Sequence, residues 1–178
     1  SPIQHLNHFI PGQWFDINDS IINIGLGWDF DKREKFDLDA SVTAFNEMNE
    51  VIESIFYQKL NGLNGAVHHF GDNLTGEGDG DDEEIRISLD LLPSEVQILT
   101  VQINSYRRNI LSNVKSAYIR LSTETEIIGT YSVNQEGNNI GLLIGCFSKS
   151  DSNSWYFKSL NKVIPGNIVT KSISSIKK

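Results

Sequence analysis

The 178-residue chain has one cysteine, one methionine and four prolines, and no long apolar run. A single thiol, Cys146, rules out an internal disulfide and fits a reducing compartment. The longest apolar stretch, Ile140–Phe147, is strand-sized and far short of the roughly 20 residues of a membrane-spanning helix. The first residues, Ser1-Pro2-Ile3-Gln4, lack the basic and apolar regions of an intact signal peptide. No nucleophile elbow, HExxH helix, phosphate-binding loop or dinucleotide fingerprint is present.

Charge is unevenly spread. The net charge is −8, but seven acids fall between Asp72 and Glu84, with no lysine or arginine among them. The rest of the chain is close to neutral. A local knot of carboxylates disfavours nucleic acid and favours cations. Length and composition suit one folded domain, with a core expected over about residues 15–164 and a fraying tail over 165–178.

The pattern is that of an all-β protein. Phe36, Leu38, Ala40 and Val42 alternate with Asp37, Asp39 and Ser41, as on a strand with one apolar face. Further strands are expected at Ile21–Leu26, Ile55–Tyr57, around Ile85, Ile87 and Leu89, and at Val96–Ile103. The last four are Ala117–Leu121, Glu126–Val133, Ile140–Phe147 and Trp155–Leu160. Alternation slips at Leu99-Thr100, which signals a bulge or burial on both faces. Asn61-Gly62 and Asn64-Gly65 mark turns. Short helical pieces are expected at Leu92–Val96 and Arg107–Val114. Strands at this spacing predict a two-sheet β-sandwich with a few short helices.

The chemistry concentrates in Gly71–Glu83. Asp72, Asn73, Glu77, Asp79, Asp81, Asp82 and Glu83 supply side-chain oxygens, and four interleaved glycines let the backbone wrap. Ca2+ takes six to eight such hard ligands. The loop is not an EF-hand, because Leu74 stands at its third position. Asp37 and Asp39 share a strand face about 6.6 Å apart, and Asp29 follows Gly27-Trp28. His68-His69 precedes the loop. Alternation lets only one of them face the site, and zinc would need further nitrogen or sulfur donors, so these are read as structural or supporting histidines. Cys146 is read as a buried, inert thiol, and Tyr106-Arg107-Arg108 as a small basic-aromatic patch at a solvated helix start, with a contact for phosphate or a partner's acids as the alternative.

Gly25-Leu26-Gly27-Trp28-Asp29, then Phe36-Asp37-Leu38-Asp39-Ala40-Ser41, then Gly71–Glu83 resemble, in order and spacing, the hallmark segments of the TerD family of tellurite-resistance and stress-response proteins. The match is strong over about residues 20–103. It weakens through Val114, Tyr118-Ile119-Arg120, Tyr131 and Trp155/Phe157, and Asn104–Ser112 departs from it. The resemblance implies a β-sandwich binding two Ca2+ ions at one edge, with no known catalytic activity. It also implies a stress-linked role in the cytoplasm or at the inner face of a membrane, alongside other family members. The implied ligands come from Asp29, Asp37, Asp39, Asp72, Asn73, Glu77, Asp79, Asp81, Asp82 and Glu83, with backbone carbonyls near Leu38, Thr75 and Gly76. Alternatives of other classes are a metal-dependent phosphoester hydrolase and, from the resemblance alone, a cyclic-nucleotide-binding protein.

Overall fold

The computed structural model describes residues 9–29, 38–72, 83–105, 116–132 and 141–164. The strands are β1 (Trp14–Ile17), β2 (Ile21–Asp29), β3 (Leu38–Phe45), β4 (Val51–Ile55), β5 (Asn61–Gly62), β6 (Val67–Asp72), β7 (Glu83–Ser88), β8 (Ile98–Ser105), β9 (Ser116–Thr123), β10 (Ile127–Ser132), β11 (Gly141–Lys149) and β12 (Trp155–Ile164). They form two six-stranded antiparallel sheets, ordered β1-β12-β11-β8-β3-β4 and β10-β9-β2-β7-β6-β5. The predicted sandwich is what the chain forms. Its core is the layer between the sheets: Leu38, Ala40 and Val42 with Leu99, Val101 and Ile103 from one, and Ile22, Ile24 and Leu26 with Ile85 and Ile87 from the other.

Several expectations need correction. The strand placed at Ile55–Tyr57 is β4, ending at Ile55, because Phe56 and Lys59 exchange both backbone hydrogen bonds and turn the chain there. Strand Val96–Ile103 begins at Ile98 and runs to Ser105. The turn expected at Leu92–Val96 is present as a single non-helical turn, in which Val96 N–H donates to the Pro93 carbonyl at 3.0 Å, and a 3-10 turn at Leu89–Leu91 precedes it. β8 itself has no slip. The irregularity is in β11, where Ile144 is the extra residue between Leu143 and Gly145. The alternative reading of Leu99-Thr100, burial on both faces, is the correct one. The expected helix Arg107–Val114, the Tyr106-Arg107-Arg108 patch and the tail 165–178 lie outside the described residues.

The face of β3 and β8 opposite to Leu38, Ala40 and Val42 is polar yet sealed. Asp39, Ser41 and Thr43 oppose Asn104, Gln102 and Thr100, and all six are 1% exposed or less. Gln102 Nε2 donates to Asn104 Oδ1 at 2.9 Å, and Thr43 and Ser54 share a hydroxyl hydrogen bond of 3.0 Å. These side chains are interior groups, and the hydrogen bonds among them are costly to break in a buried setting.

The approach to β6 is fixed by Glu53 on β4. Its carboxylate meets Lys59 Nζ at 2.5 Å and accepts the Leu63 N–H at 2.7 Å. Burial pushes this carboxyl up, but the hydrogen bonds from Lys59 and Leu63 and the Lys59 charge outweigh it, so its pKa lies below the ordinary value. A group depressed in the folded state stabilises above its unfolded pKa and loses that contribution as pH falls through the folded value. Glu53→Gln is therefore expected to cost about 0.5 kcal/mol at neutral pH, discounted for solvent exposure. The difference from the parent should vanish on acidification below the carboxylate range. Urea unfolding at a series of pH values checks this; a gap that persists in acid contradicts it.

Candidate metal centre

Three buried groups converge where β3 meets β6 and β7. Glu83, Ile85 and Ile87 alternate on β7, and the residues opposite the last two on β6 are His69 and Val67. Glu83 and His69 thus take register positions that elsewhere hold aliphatic side chains. Asp39 comes from the other sheet. One ligand atom from each of Asp39, His69 and Glu83 lies within 4.8 Å of the other two.

The hydrogen bonds define the arrangement. His69 Nε2 lies 2.9 Å from Glu83 Oε1 and 3.3 Å from Asp39 Oδ1. The Ala40 N–H donates to the same Glu83 oxygen at 2.5 Å. Ala40 lies beyond the reach of β4, whose pairing with β3 starts at Val42, and a side chain from the facing sheet takes its N–H. Glu83 therefore ties the two sheets together by a buried side-chain-to-backbone hydrogen bond.

A bulge in β6 sets the register of the loop. His69 opposes Ile85 and Asp72 opposes Glu83, so β6 carries one residue more than β7 between these pairs. Gly71, at φ +89°, supplies the left-handed backbone the bulge requires. Its N–H donates to His69 Nδ1 at 2.9 Å. The extra residue brings Asp72 to the position opposite Glu83, and the acid-rich segment 73–82 joins these two paired residues.

Of the ten candidate ligands, Asp39 and Glu83 are brought together and buried. Asp72 lies at the end of β6 opposite Glu83, and Asp29 ends β2 opposite Ser116; their side chains lie outside the described set. Asp37, Asn73, Glu77, Asp79, Asp81 and Asp82, with the carbonyls of Thr75 and Gly76, lie outside the described residues. The pairing of the histidines follows alternation: His69 faces the carboxylates, while His68 turns to Asn61 and to the ring of Phe70. Sequence reasoning missed the bulge, although a glycine directly before the first acid of the loop was its visible signal.

The donor set suits a hard cation. Two carboxylates held this close repel each other, and a divalent ion between them converts repulsion to attraction. Both oxygens of Asp39 and Glu83 are of the kind Ca2+ takes. Elsewhere, Cys146 is half-buried. Burial pushes its thiol up, against smaller lowering effects from Ser148 and Lys158, as expected of an unreactive thiol. Among the described residues no helix is long and apolar enough to cross a membrane.

Comparison with known proteins identifies the family and agrees with the fold. The model of the TerD domain matches residues 11–170. The chain is 33% identical over 169 residues to the tellurium resistance protein TerZ of Serratia marcescens, covering 88% of this chain and 87% of that protein. It is 36% identical over 115 residues to general stress protein 16U of Bacillus subtilis, covering 59% and 60% of the two. The crystal structure of a homologue of telluride resistance protein TerD from Streptomyces coelicolor superposes with a TM-score of 0.77 at 16% identity. It covers 86% of this chain and 95% of that one.

Proposed function

This chain belongs to the TerD domain family, and from that membership and the geometry above we propose that it is a calcium-binding module of a stress response. Asp39 and Glu83 form the inner wall of the ion site. The acid-rich loop, from Asp72 and Asn73 through Glu77, Asp79, Asp81 and Asp82, supplies the outer ligands, with Asp29 and Asp37 from the neighbouring segments. The observation that carries this reading is the convergence of two buried carboxylates from opposite sheets where the loop joins β6 and β7. The relatives' names, tellurium resistance and general stress protein, support the biological setting.

The ion's role is to order the loop and present a surface, with other family members or a membrane-associated complex as the proposed partners. The reading assigns no turnover. His69, the group that a hydrolase would use as a base, has its acceptor nitrogen taken by Gly71 N–H.

Thermal unfolding of chelator-stripped protein, with and without millimolar Ca2+ or Mg2+, tests this. Ca2+ at 100-fold above its Kd adds about 2.7 kcal/mol, a rise of about 5–10 °C for a chain of this size. Mg2+, which needs tighter octahedral geometry and sheds water reluctantly, should give less. Asp39→Asn should unfold near the parent in chelator and show a much smaller rise with Ca2+. An unchanged parent midpoint at millimolar Ca2+ contradicts the proposal.

A further inference from the structure

We propose that His69 is a positioning residue that makes the ion site oxygen-only and so sets its preference for calcium over zinc. This inference rests on the calcium reading above and adds the basis of its selectivity.

The two ring nitrogens of His69 face different partners. A neutral imidazole has one N–H and one lone pair. Gly71 N–H points at Nδ1 from 2.9 Å, so Nδ1 is the acceptor and the proton sits on Nε2. Nε2 is the nitrogen that faces the carboxylates, Glu83 Oε1 at 2.9 Å and Asp39 Oδ1 at 3.3 Å. The ring therefore presents a proton to the site and no lone pair. Rotating the ring by half a turn would put carbon atoms against Gly71 N and both carboxylates and lose all three contacts. The ring is fully buried, with no room to adopt other partners.

Two consequences follow. Zinc sites are dominated by thiolate and imidazole donors, with carboxylate oxygens added to them. Among the described residues the nearest imidazole is held in the tautomer that cannot ligate, and the lone cysteine is on β11. Calcium accepts carboxylate oxygens alone. The ring also links two parts of the site. Its Nδ1 pins the bulge that carries the chain into the acid loop, while its Nε2 proton holds the inner carboxylates from both sheets. In many zinc sites a carboxylate orients a ligating histidine; here the histidine orients ligating carboxylates.

The two functions of the ring can be separated by substitution. His69→Gln places an amide N–H near the Nε2 position and keeps the donor to the carboxylates. His69→Asn places an oxygen near Nδ1 and keeps the acceptor for Gly71 N–H, but does not reach the carboxylates. Calorimetric titration of each stripped protein with Ca2+ alone and with Zn2+ alone, together with 15N shifts of the His69 ring, reads the result. The parent should show the Nε2–H signature both before and after Ca2+, and should bind Ca2+ more tightly than Zn2+ at this site. His69→Gln should stay within a few-fold of the parent for Ca2+, whereas His69→Asn should weaken it by about 10- to 100-fold, the usual effect of losing an outer-shell partner.

An Nδ1–H signature in a protein that binds Ca2+ normally overturns this inference and leaves the calcium reading standing. Equal weakening by both substitutions also overturns it, because the carboxylate donor would then not be what matters. Absence of any Ca2+ heat in the parent overturns the calcium reading, and the selectivity proposal falls with it.

Discussion

Glu83→Ala is expected to destabilise the chelator-stripped protein by about 3 kcal/mol, while Glu83→Gln stays within about 1 kcal/mol of the parent. Glu83 Oε1 is the acceptor for two buried donors, Ala40 N–H and His69 Nε2–H. Alanine leaves both without it and opens a void at a position that is 2% exposed. Each orphaned donor costs about 1–3 kcal/mol, and relief of repulsion with Asp39 returns part of that. Glutamine keeps an oxygen at that place and removes only the charge. Both variants should lose most of the Ca2+-dependent rise. The structural and ion-binding roles of one side chain thus separate: alanine loses both, glutamine chiefly the second. Urea unfolding in chelator and in Ca2+ gives all four values. Equal stability of the two variants in chelator would contradict the hydrogen-bonding role.

Gly145→Ala is expected to cost about 3 kcal/mol, at the upper end of what overpacking usually costs. Gly145 follows the bulge in β11 and faces β12. A Cβ there would overlap the backbone carbonyl of Lys158 and lie 2.6 Å from the ring of Phe157. Neither can give way easily. The carbonyl belongs to the strand ladder, and the Phe157 ring is buried against Phe147 and Phe9, with centroids 4.9 and 5.4 Å away. Gly65→Ala is the control. Nothing lies within 4 Å of its added carbon, but φ +82° makes it a strained position for any side chain, costing about 1–2 kcal/mol. Denaturant midpoints should rank parent, then Gly65→Ala, then Gly145→Ala. The reverse order of the two variants would show that β12 can shift away from β11.

The sandwich was legible because alternation in Leu38–Val42 and in Ile85–Ile87 is undisturbed by the turns around it. Asp39 and Glu83 were legible as carboxylates with ligand chemistry. What could not be read was that Glu83 leaves the loop and opens β7 on its core-facing side. A glutamate at the edge of an acid run reads as one more loop ligand, and its burial depends on a strand from the other sheet. The same limit applies to Ser41, Thr43, Gln102 and Asn104. Period-2 patterning tells which residues share a face, but whether that face meets water is decided by tertiary packing. β1 was missed because four residues with Trp14 largely exposed carry little period, and it forms by pairing with β12. β6 was missed because the Phe70-Gly71 bulge breaks its alternation.

The central claim is that the carboxylates gathered at the ends of β3 and β7 hold calcium together with the acid-rich loop. Isothermal titration of Ca2+ into the chelator-stripped parent tests it most directly, with Asp39→Asn as the paired sample. The account predicts a saturable heat in the parent, competed poorly by Mg2+ and strongly reduced in Asp39→Asn. A parent that gives no heat at millimolar Ca2+, or an Asp39→Asn variant that binds as tightly as the parent, would contradict it.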